Sequence, residues 1–104
     1  MLKSPYPAAV YEKNAQIYGI LSNPTRLEIL NTLKTRAATL DELTTALNLR
    51  KANVSQHLSL LRLTNLVTVK RQGRLARYQI VDPRIVEPCR ILKNIFSSTA
   101  PAVR

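Results

Sequence analysis

The spacing of apolar residues changes near residue 66, and this change constrains the fold more than any other feature of the chain. Up to residue 64 the apolar residues recur at helical spacing, three or four positions apart. From Val67 onward they alternate with polar residues, as in a half-buried strand. A second alternating segment contains Tyr78 and Ile80, and Gly73-Arg74 lies between the two. The pattern therefore predicts helices followed by a β-hairpin with a tight turn.

Four helices are predicted before the hairpin. The first covers residues 6–21 after a proline-rich lead-in, and the second runs from Asn23-Pro24 to about residue 36. A third, short helix covers residues 40–47, because Thr39 and Glu42 have the spacing of a capping box. A tight break at residues 48–50 separates it from a fourth helix that ends near residue 64. The third and fourth helices together predict a helix-turn-helix.

A last helix is predicted after the hairpin. Asp82-Pro83 indicates its start, and its apolar side consists of Ile85, Cys89, Leu92 and Phe96. Pro88 has no amide to donate, so either the regular part of this helix starts near it or the first turns are kinked. The predicted fold is mainly α with a β-hairpin wing, in the order α-α-α-α-β-β-α. We expect a single winged helix-turn-helix domain over residues 1–104.

Basic charge is concentrated in the predicted helix-turn-helix and hairpin. The chain has 16 lysines and arginines against six acids, and none of the six acids lies within residues 43–81. The same window contains Arg50, Lys51, Arg62, Lys70, Arg71, Arg74 and Arg77. A regional excess of this kind is typical of a nucleic-acid-binding surface. The alternative is a basic face that only keeps the protein soluble.

The fourth helix has one face suited to reading DNA bases. Its apolar stripe is Val54, His57, Leu58 and Leu61, whereas the opposite face collects Ser55, Gln56, Ser59 and Arg62. Such polar side chains can pair with base edges in the major groove, where each base pair shows a distinct pattern of donors and acceptors. We expect this face to specify sequence, and the cationic hairpin to contact the DNA backbone or minor groove whatever the sequence.

The chain resembles the arsenical-repressor type (ArsR/SmtB) of prokaryotic transcriptional repressors. The resemblance rests on LSNPTRLEIL at residues 21–30, NVSQHLSLLRLTNLV at 53–67, KRQGRLARYQI at 70–80 and the following Asp82-Pro83. It implies a sequence-specific DNA-binding regulator that binds an imperfect inverted repeat as a homodimer and occludes a promoter until an inducer loosens it. By position, the resemblance assigns base reading to Asn53, Ser55, Gln56 and Ser59, and wing contacts to Arg71, Arg74 and Arg77.

The resemblance also implies that the first and last helices meet their counterparts in a second copy. The residues concerned are Val10, Ile17, Ile85, Cys89, Leu92 and Phe96. Cys89 is the single cysteine, and we expect it to pack as a small hydrophobic residue. The alternative is a sensor thiol that meets its mate across the dimer axis and responds to oxidants or soft metals. For His57 the expected role is a packed, hydrogen-bonded imidazole, ahead of a ligand or pH switch.

The chain departs from the family's pattern in three features. Metal sensors of the family often carry cysteines on the short helix before the turn, whereas TLDELTTALN at residues 39–48 contains none. Its zinc sensors place further ligands after an aspartate on the last helix, but this chain has Arg84, Ile95 and Ser98 there. We therefore expect no metal and no cofactor. Arg50 replaces the usual Ser or Thr cap, which forgoes roughly 1 kcal/mol of capping and adds a phosphate contact.

Other classes of function fit the residues less well. An enzyme is not expected, because there is no Ser-His-Asp arrangement and no phosphate-cradling loop around the two glycines, Gly19 and Gly73. A nonspecific architectural DNA-binding protein without an inducer stays open. The apolar runs are too short to cross a bilayer, and residues 1–13 lack a secretory signal. We expect double-stranded DNA as partner, no membrane association, and a prokaryotic cytoplasmic, nucleoid-associated location.

Overall fold

The computed structural model describes residues 1–97, and these form a winged helix-turn-helix. The elements in chain order are α1 (Ala8–Leu21), α2 (Pro24–Thr35), β1 (Ala38–Thr39), α3 (Leu40–Leu47), α4 (Lys51–Leu63), β2 (Val67–Gln72), β3 (Leu75–Ile80), a 3-10 helix (Pro83–Val86) and α5 (Glu87–Ser97). The predicted fold class, mainly α with a β-hairpin wing, is confirmed. β1 and the 3-10 helix are two elements that the sequence pattern does not indicate.

The core lies between α2, α3, α4 and the base of the hairpin. Its buried residues are Ile29, Leu30, Leu33, Ala38, Leu43, Val54, Leu58, Leu61, Leu66, Val67, Ile80 and Val86. Burying an aliphatic side chain of this size stabilises the fold by roughly 1.5 to 3 kcal/mol. Three of these residues, Val54, Leu58 and Leu61, belong to one side of α4. The other side of α4 is therefore turned to solvent.

The helix-turn-helix forms through two local devices. At the start of α3 the predicted capping box is present, since Thr39 Oγ1 accepts from the Glu42 amide at 3.1 Å and Glu42 Oε1 accepts from the Thr39 amide at 2.9 Å. At its end Asn48 adopts a left-handed conformation with φ 53°, which asparagine tolerates better than most residues. Arg50 then caps α4 with no side-chain hydrogen bond, in agreement with its departure from a Ser or Thr cap.

The hairpin belongs to a three-stranded antiparallel sheet in the order β1-β3-β2. The predicted turn is present between β2 and β3, where Gly73 has a φ of +62° that glycine adopts without strain. On the far side of β3, Ala38 of β1 pairs with Tyr78, and Thr39 pairs with Arg77. This short strand ties the base of the hairpin to the first residue of the capping box of α3.

α1 and α5 lie outside the core, and neither contains a buried residue. α1 begins at Ala8, two residues later than the predicted start at residue 6. Of the two alternatives predicted for the last helix, the structure shows the first, because its regular part, α5, starts at Glu87, next to Pro88. Residues 83–86 form a separate 3-10 turn capped by Asp82, and Ile85 of the predicted stripe belongs to that turn and not to α5. Pro88 falls in the first turn of α5, where its missing amide costs no hydrogen bond.

Candidate nucleic-acid interface

The solvent-facing side of α4 carries the predicted base-reading residues. Its exposed polar side chains, called the reading face below, are Asn53, Ser55, Gln56, Ser59 and Arg62. Lys51 opens the helix and Arg50 precedes it, and both side chains are exposed. The amino end of a helix carries a partial positive charge and free amides. The start of α4 therefore combines two cations with the end of the helix that attracts anions.

The wing, formed by β2, β3 and their turn, presents cations in three directions. Lys70 pairs directly across the strands with Arg77, and both side chains lie on one face of the sheet. Arg71 pairs with Ala76, so Arg71 points to the opposite face. Arg74 lies in the turn at the tip. Like charges directly opposite each other destabilise a strand pair, so the Lys70–Arg77 face favours an anion.

Two acids lie beside this basic surface, although no acid occurs within residues 43–81 of the sequence. Asp41 is 3.0 Å from Lys51, and Glu42 is 3.5 Å from Arg77. Glu42 also accepts a hydrogen bond from Arg36 at 2.9 Å. This bond, with the amide of Thr39, lowers the pKa of Glu42 to about 2. Both acids precede the window in sequence, and the capping box and β1 bring them next to it in space.

A groove of about 220 Å³ separates the start of α4 from the wing. Lys51 and Asp41 contribute to its lining from the helix-turn-helix, and Arg74 and Tyr78 contribute from the wing. The groove therefore connects the start of α4 with the wing, and its lining includes no residue of the reading face. At the start of α4 and on the wing, the cations that form no ion pair among the described residues are Arg50, Lys70, Arg71 and Arg74. Lys51 is paired with Asp41, and Arg77 is partly neutralised by Glu42.

The single histidine and the single cysteine both pack within the chain. His57 is half-buried, and its Nδ1 accepts a hydrogen bond from Arg26 Nε at 3.3 Å, which confirms the expected packed imidazole. Burial, with the positive charge of Arg26, lowers the pKa of His57. Cys89 is also half-buried, and its Sγ accepts from Asn31 Nδ2 at 3.4 Å. The thiol therefore faces α2 of its own chain.

Six apolar residues of the first and last helices were predicted to form a dimer interface, and three of them are exposed. Val10 is 37% exposed, Leu92 52% and Phe96 51%. Ile17, Ile85 and Cys89 are half-buried and pack against the core of the same chain. Ile91 and Ile95 are also exposed on α5, although the predicted stripe omits them. Their spacing, one residue before Leu92 and Phe96, is the signal that could have identified them.

The positions at which the family resemblance would place zinc ligands carry other chemistry here. Arg84 forms an ion pair with Asp82 at 2.7 Å, and its hydrogen bonds hold the pKa of Asp82 at about 2. Ile95 is an exposed apolar residue, and Ser98 lies outside the described residues. Within residues 1–97, no three histidine, cysteine, aspartate or glutamate side chains are grouped so that they could hold a metal ion. No helix in the same range has the length and apolar character needed to cross a membrane.

Comparison with known proteins identifies the family. A family model described as the arsR family of bacterial regulatory proteins matches residues 23–69. The nodulation protein NolR of Rhizobium meliloti is 30% identical over 102 residues, which cover 95% of this chain and 84% of NolR. This chain belongs to the ArsR family. It is therefore a DNA-binding transcriptional regulator and not an enzyme.

Solved structures of two mycobacterial proteins have the same fold. The crystal structure of Rv0081 from Mycobacterium tuberculosis matches with a TM-score of 0.72 and 28% identity, and the match covers 93% of this chain and 94% of Rv0081. The homodimeric winged helix-turn-helix DNA-binding domain of Mb0332 from Mycobacterium bovis matches with a TM-score of 0.71 and 24% identity. That match covers 89% of this chain and 86% of the Mb0332 chain. The wing and the helix-turn-helix described above thus have counterparts in both.

Proposed function

We propose that this protein binds an imperfect inverted repeat in DNA as a homodimer and represses transcription by covering the promoter. The observation that carries the proposal is the reading face of α4, whose polar side chains are exposed while the opposite side of the helix is buried in the core. Such a face is superfluous for a protein that binds only the DNA backbone. It therefore favours sequence-specific repression over the architectural alternative.

The cations of the wing and of the start of α4 would supply affinity that does not depend on sequence. Lysine and arginine contacts to phosphates release counterions, so each such contact adds roughly 0.9 to the slope of log affinity against log salt concentration. Lys70, Arg71 and Arg74 are exposed and available for such contacts. Arg77 and Lys51 would first have to exchange their carboxylate partners for phosphate.

The dimer is supported by the exposed apolar residues of α1 and α5. Burial of exposed apolar side chains is favourable, and a second copy of the chain would remove these from water. The Mb0332 domain, which has the same fold, is a homodimer. A dimer with two-fold symmetry matches an inverted repeat, and its two α4 helices would read half-sites about one or two helical turns apart.

No metal or cofactor enters this proposal. We expect stoichiometric zinc, cadmium or arsenite to leave the DNA complex intact, because one thiol and one hydrogen-bonded imidazole in a chain are too few for a closed tetrahedral site. The contact between Cys89 and Asn31 supports packing as the role of the thiol. A redox role would appear as a difference between the wild type and Cys89→Ser in DNA affinity under oxidant, with equal affinity when reduced.

Selection of binding sites from random DNA tests the proposal. The purified protein at a stated salt concentration should enrich a motif with two inverted half-sites, called the operator below. Enrichment of a single half-site would contradict the dimeric arrangement. Equal recovery of all duplexes would support the architectural alternative instead, because backbone contacts alone do not distinguish sequences.

A further inference from the structure

Arg26 connects three helices at one point. It occupies the first turn of α2, where its amide donates to the capping Oδ1 of Asn23 at 3.0 Å. Its side-chain Nη1 donates to the carbonyl oxygen of Ile20 near the end of α1 at 2.9 Å, and Nε donates to Nδ1 of His57 on α4 at 3.3 Å. The half-buried guanidinium of Arg26 therefore forms hydrogen bonds to α1, which is proposed for dimerisation, and to α4, which is proposed to read DNA.

The chemistry of the two acceptors suits a guanidinium. Ile20 lies in the last turn of α1, where carbonyl groups lack intrahelical partners and carry the negative end of the helix dipole. The donors of arginine lie in one plane at fixed angles, whereas a lysine ammonium is a single point charge that rotates. The arginine can therefore hold the two helices at a fixed separation and angle, which a lysine at the same position could not do.

His57 places this contact beside the reading face. It directly follows Gln56, an exposed residue of that face, and directly precedes the buried Leu58. Because its Nδ1 accepts a hydrogen bond, the imidazole must be neutral with its proton on Nε2. A change in the position of His57 would therefore alter the backbone that it shares with Gln56.

We infer that Arg26 is a positioning residue for DNA recognition, which sets the angle of α4 relative to α1 through its bonds to His57 and Ile20. The core packs α4 against α2 and α3, and α1 packs against α2. In the dimer, the separation of the two α4 helices depends on the angle between α4 and the helices at the interface. The inference rests on the proposed dimeric function. It holds that Arg26 helps to determine which spacing between half-sites the dimer prefers.

The test uses the full chain with three substitutions. Arg26→Lys keeps the charge but not the planar donors, His57→Phe keeps a ring but not the acceptor, and His57→Asn keeps an acceptor oxygen near the position of Nδ1.

Affinity is measured for the operator and for the same half-sites separated by one additional base pair. Arg26→Lys and His57→Phe should bind the operator roughly 5- to 50-fold more weakly and lose the preference for its spacing. His57→Asn should stay within about threefold of the wild type, because the buried donor keeps a partner.

Arg84→Lys serves as the matched control, because Arg84 is an exposed arginine bonded to Asp82 and not to α1 or α4. Sedimentation and thermal unfolding establish that each variant is folded and dimeric. Wild-type affinity and spacing preference in folded Arg26→Lys and His57→Phe would overturn the inference.

Nitrogen-15 NMR of His57 in the wild type keeps the inference testable if the variants do not fold. An unprotonated Nδ1 with the proton on Nε2 is the expected result, and a protonated Nδ1 would overturn it. A wild type that shows no preference for any operator would instead contradict the proposed function. A protonated Nδ1 would still show that the Arg26–His57 hydrogen bond does not exist, because a protonated nitrogen cannot accept from Arg26 Nε.

Discussion

The carboxylate of Glu42 lies 3.5 Å from the guanidinium of Arg77, so an acid of the α3 capping box neutralises a cation at the base of the wing. Exposed ion pairs contribute little to stability because solvent screens them. The pairing of β1 with β3 also holds the wing base in place. The larger consequence of this contact is electrostatic, since it reduces the positive charge available to DNA.

Glu42→Gln should therefore increase DNA affinity. Glutamine preserves the capping box, because its amide oxygen can still accept from the Thr39 amide. Arg77 becomes free for phosphate, so affinity at low salt should rise a few-fold and the salt slope should steepen by roughly one unit per bound chain. Anisotropy titrations over a range of salt concentrations measure both. Glu28→Gln, at an exposed position of α2, removes the same charge and should change neither. Weaker binding by Glu42→Gln would show instead that the carboxylate is needed to position the wing.

Acid should destabilise the protein through Glu42 and Asp82. The pKa of each carboxyl is lowered to about 2 in the folded chain, from ordinary values of 4.5 and 3.8. A lowered pKa means that the ionised form stabilises the fold, so this contribution is present above the ordinary pKa and is lost as pH falls towards about 2. Urea unfolding measures the free energy of unfolding from neutral pH down to about 2. Glu42→Gln should have a smaller free energy of unfolding than the wild type at neutral pH, and the two values should become equal by about pH 2. A difference that does not change with pH would contradict the assignment of the shift to ionic contacts.

Arg74→Ala should weaken binding to all DNA sequences nearly equally. Arg74 lies at the wing tip and carries a free charge, so its loss should lower the salt slope by roughly one unit for each phosphate contact removed. Arg77→Ala should have a smaller effect, since Glu42 already neutralises part of its charge. Lys34→Ala removes one charge from an exposed position on α2 and is the control. If Arg74→Ala weakened binding to one sequence only, the wing would be reading bases.

Leu92→Glu should dissociate the proposed dimer. Leu92 is 52% exposed in the single chain, and a second copy packed on α5 would bury the new carboxylate at a cost of several kcal/mol unless the chains separate. Sedimentation should give a dimer for the wild type and a monomer for the variant. Leu63→Glu makes the same change at the end of α4, where the leucine is 79% exposed, and this variant should remain dimeric. A monomeric wild type at micromolar concentration would refute the interface on α1 and α5.

Local signals predicted most of the fold, because each depends on residues close together in sequence. The capping box of Thr39 and Glu42 and the turn at Gly73 were predicted for this reason, and the structure contains both. The buried stripe of α4 followed from helical spacing alone.

The contacts that could not be predicted join residues that are distant in sequence. β1 is only two residues long and forms because β3 supplies its partner, so no local pattern reveals it. The same pairing brings Glu42 to Arg77, although the window of residues 43–81 contains no acid. The bond between Arg26 and His57 spans 31 positions. Periodicity indicated that His57 faces inward, but it could not indicate which side chain meets it.

Gln56→Ala tests the central claim, that the reading face of α4 specifies DNA sequence, most directly. The measurement is the ratio of affinities for the operator and for a duplex of the same composition in permuted order, at one salt concentration. Gln56→Ala should lower this ratio by a factor equivalent to about 1 to 3 kcal/mol, since a bidentate contact to a base is lost. Gln16→Ala, at an exposed position of α1, should leave it unchanged. If Gln56→Ala lowered the affinity for both duplexes equally, the ratio would not change. That result would contradict the claim and show that Gln56 contacts only the DNA backbone.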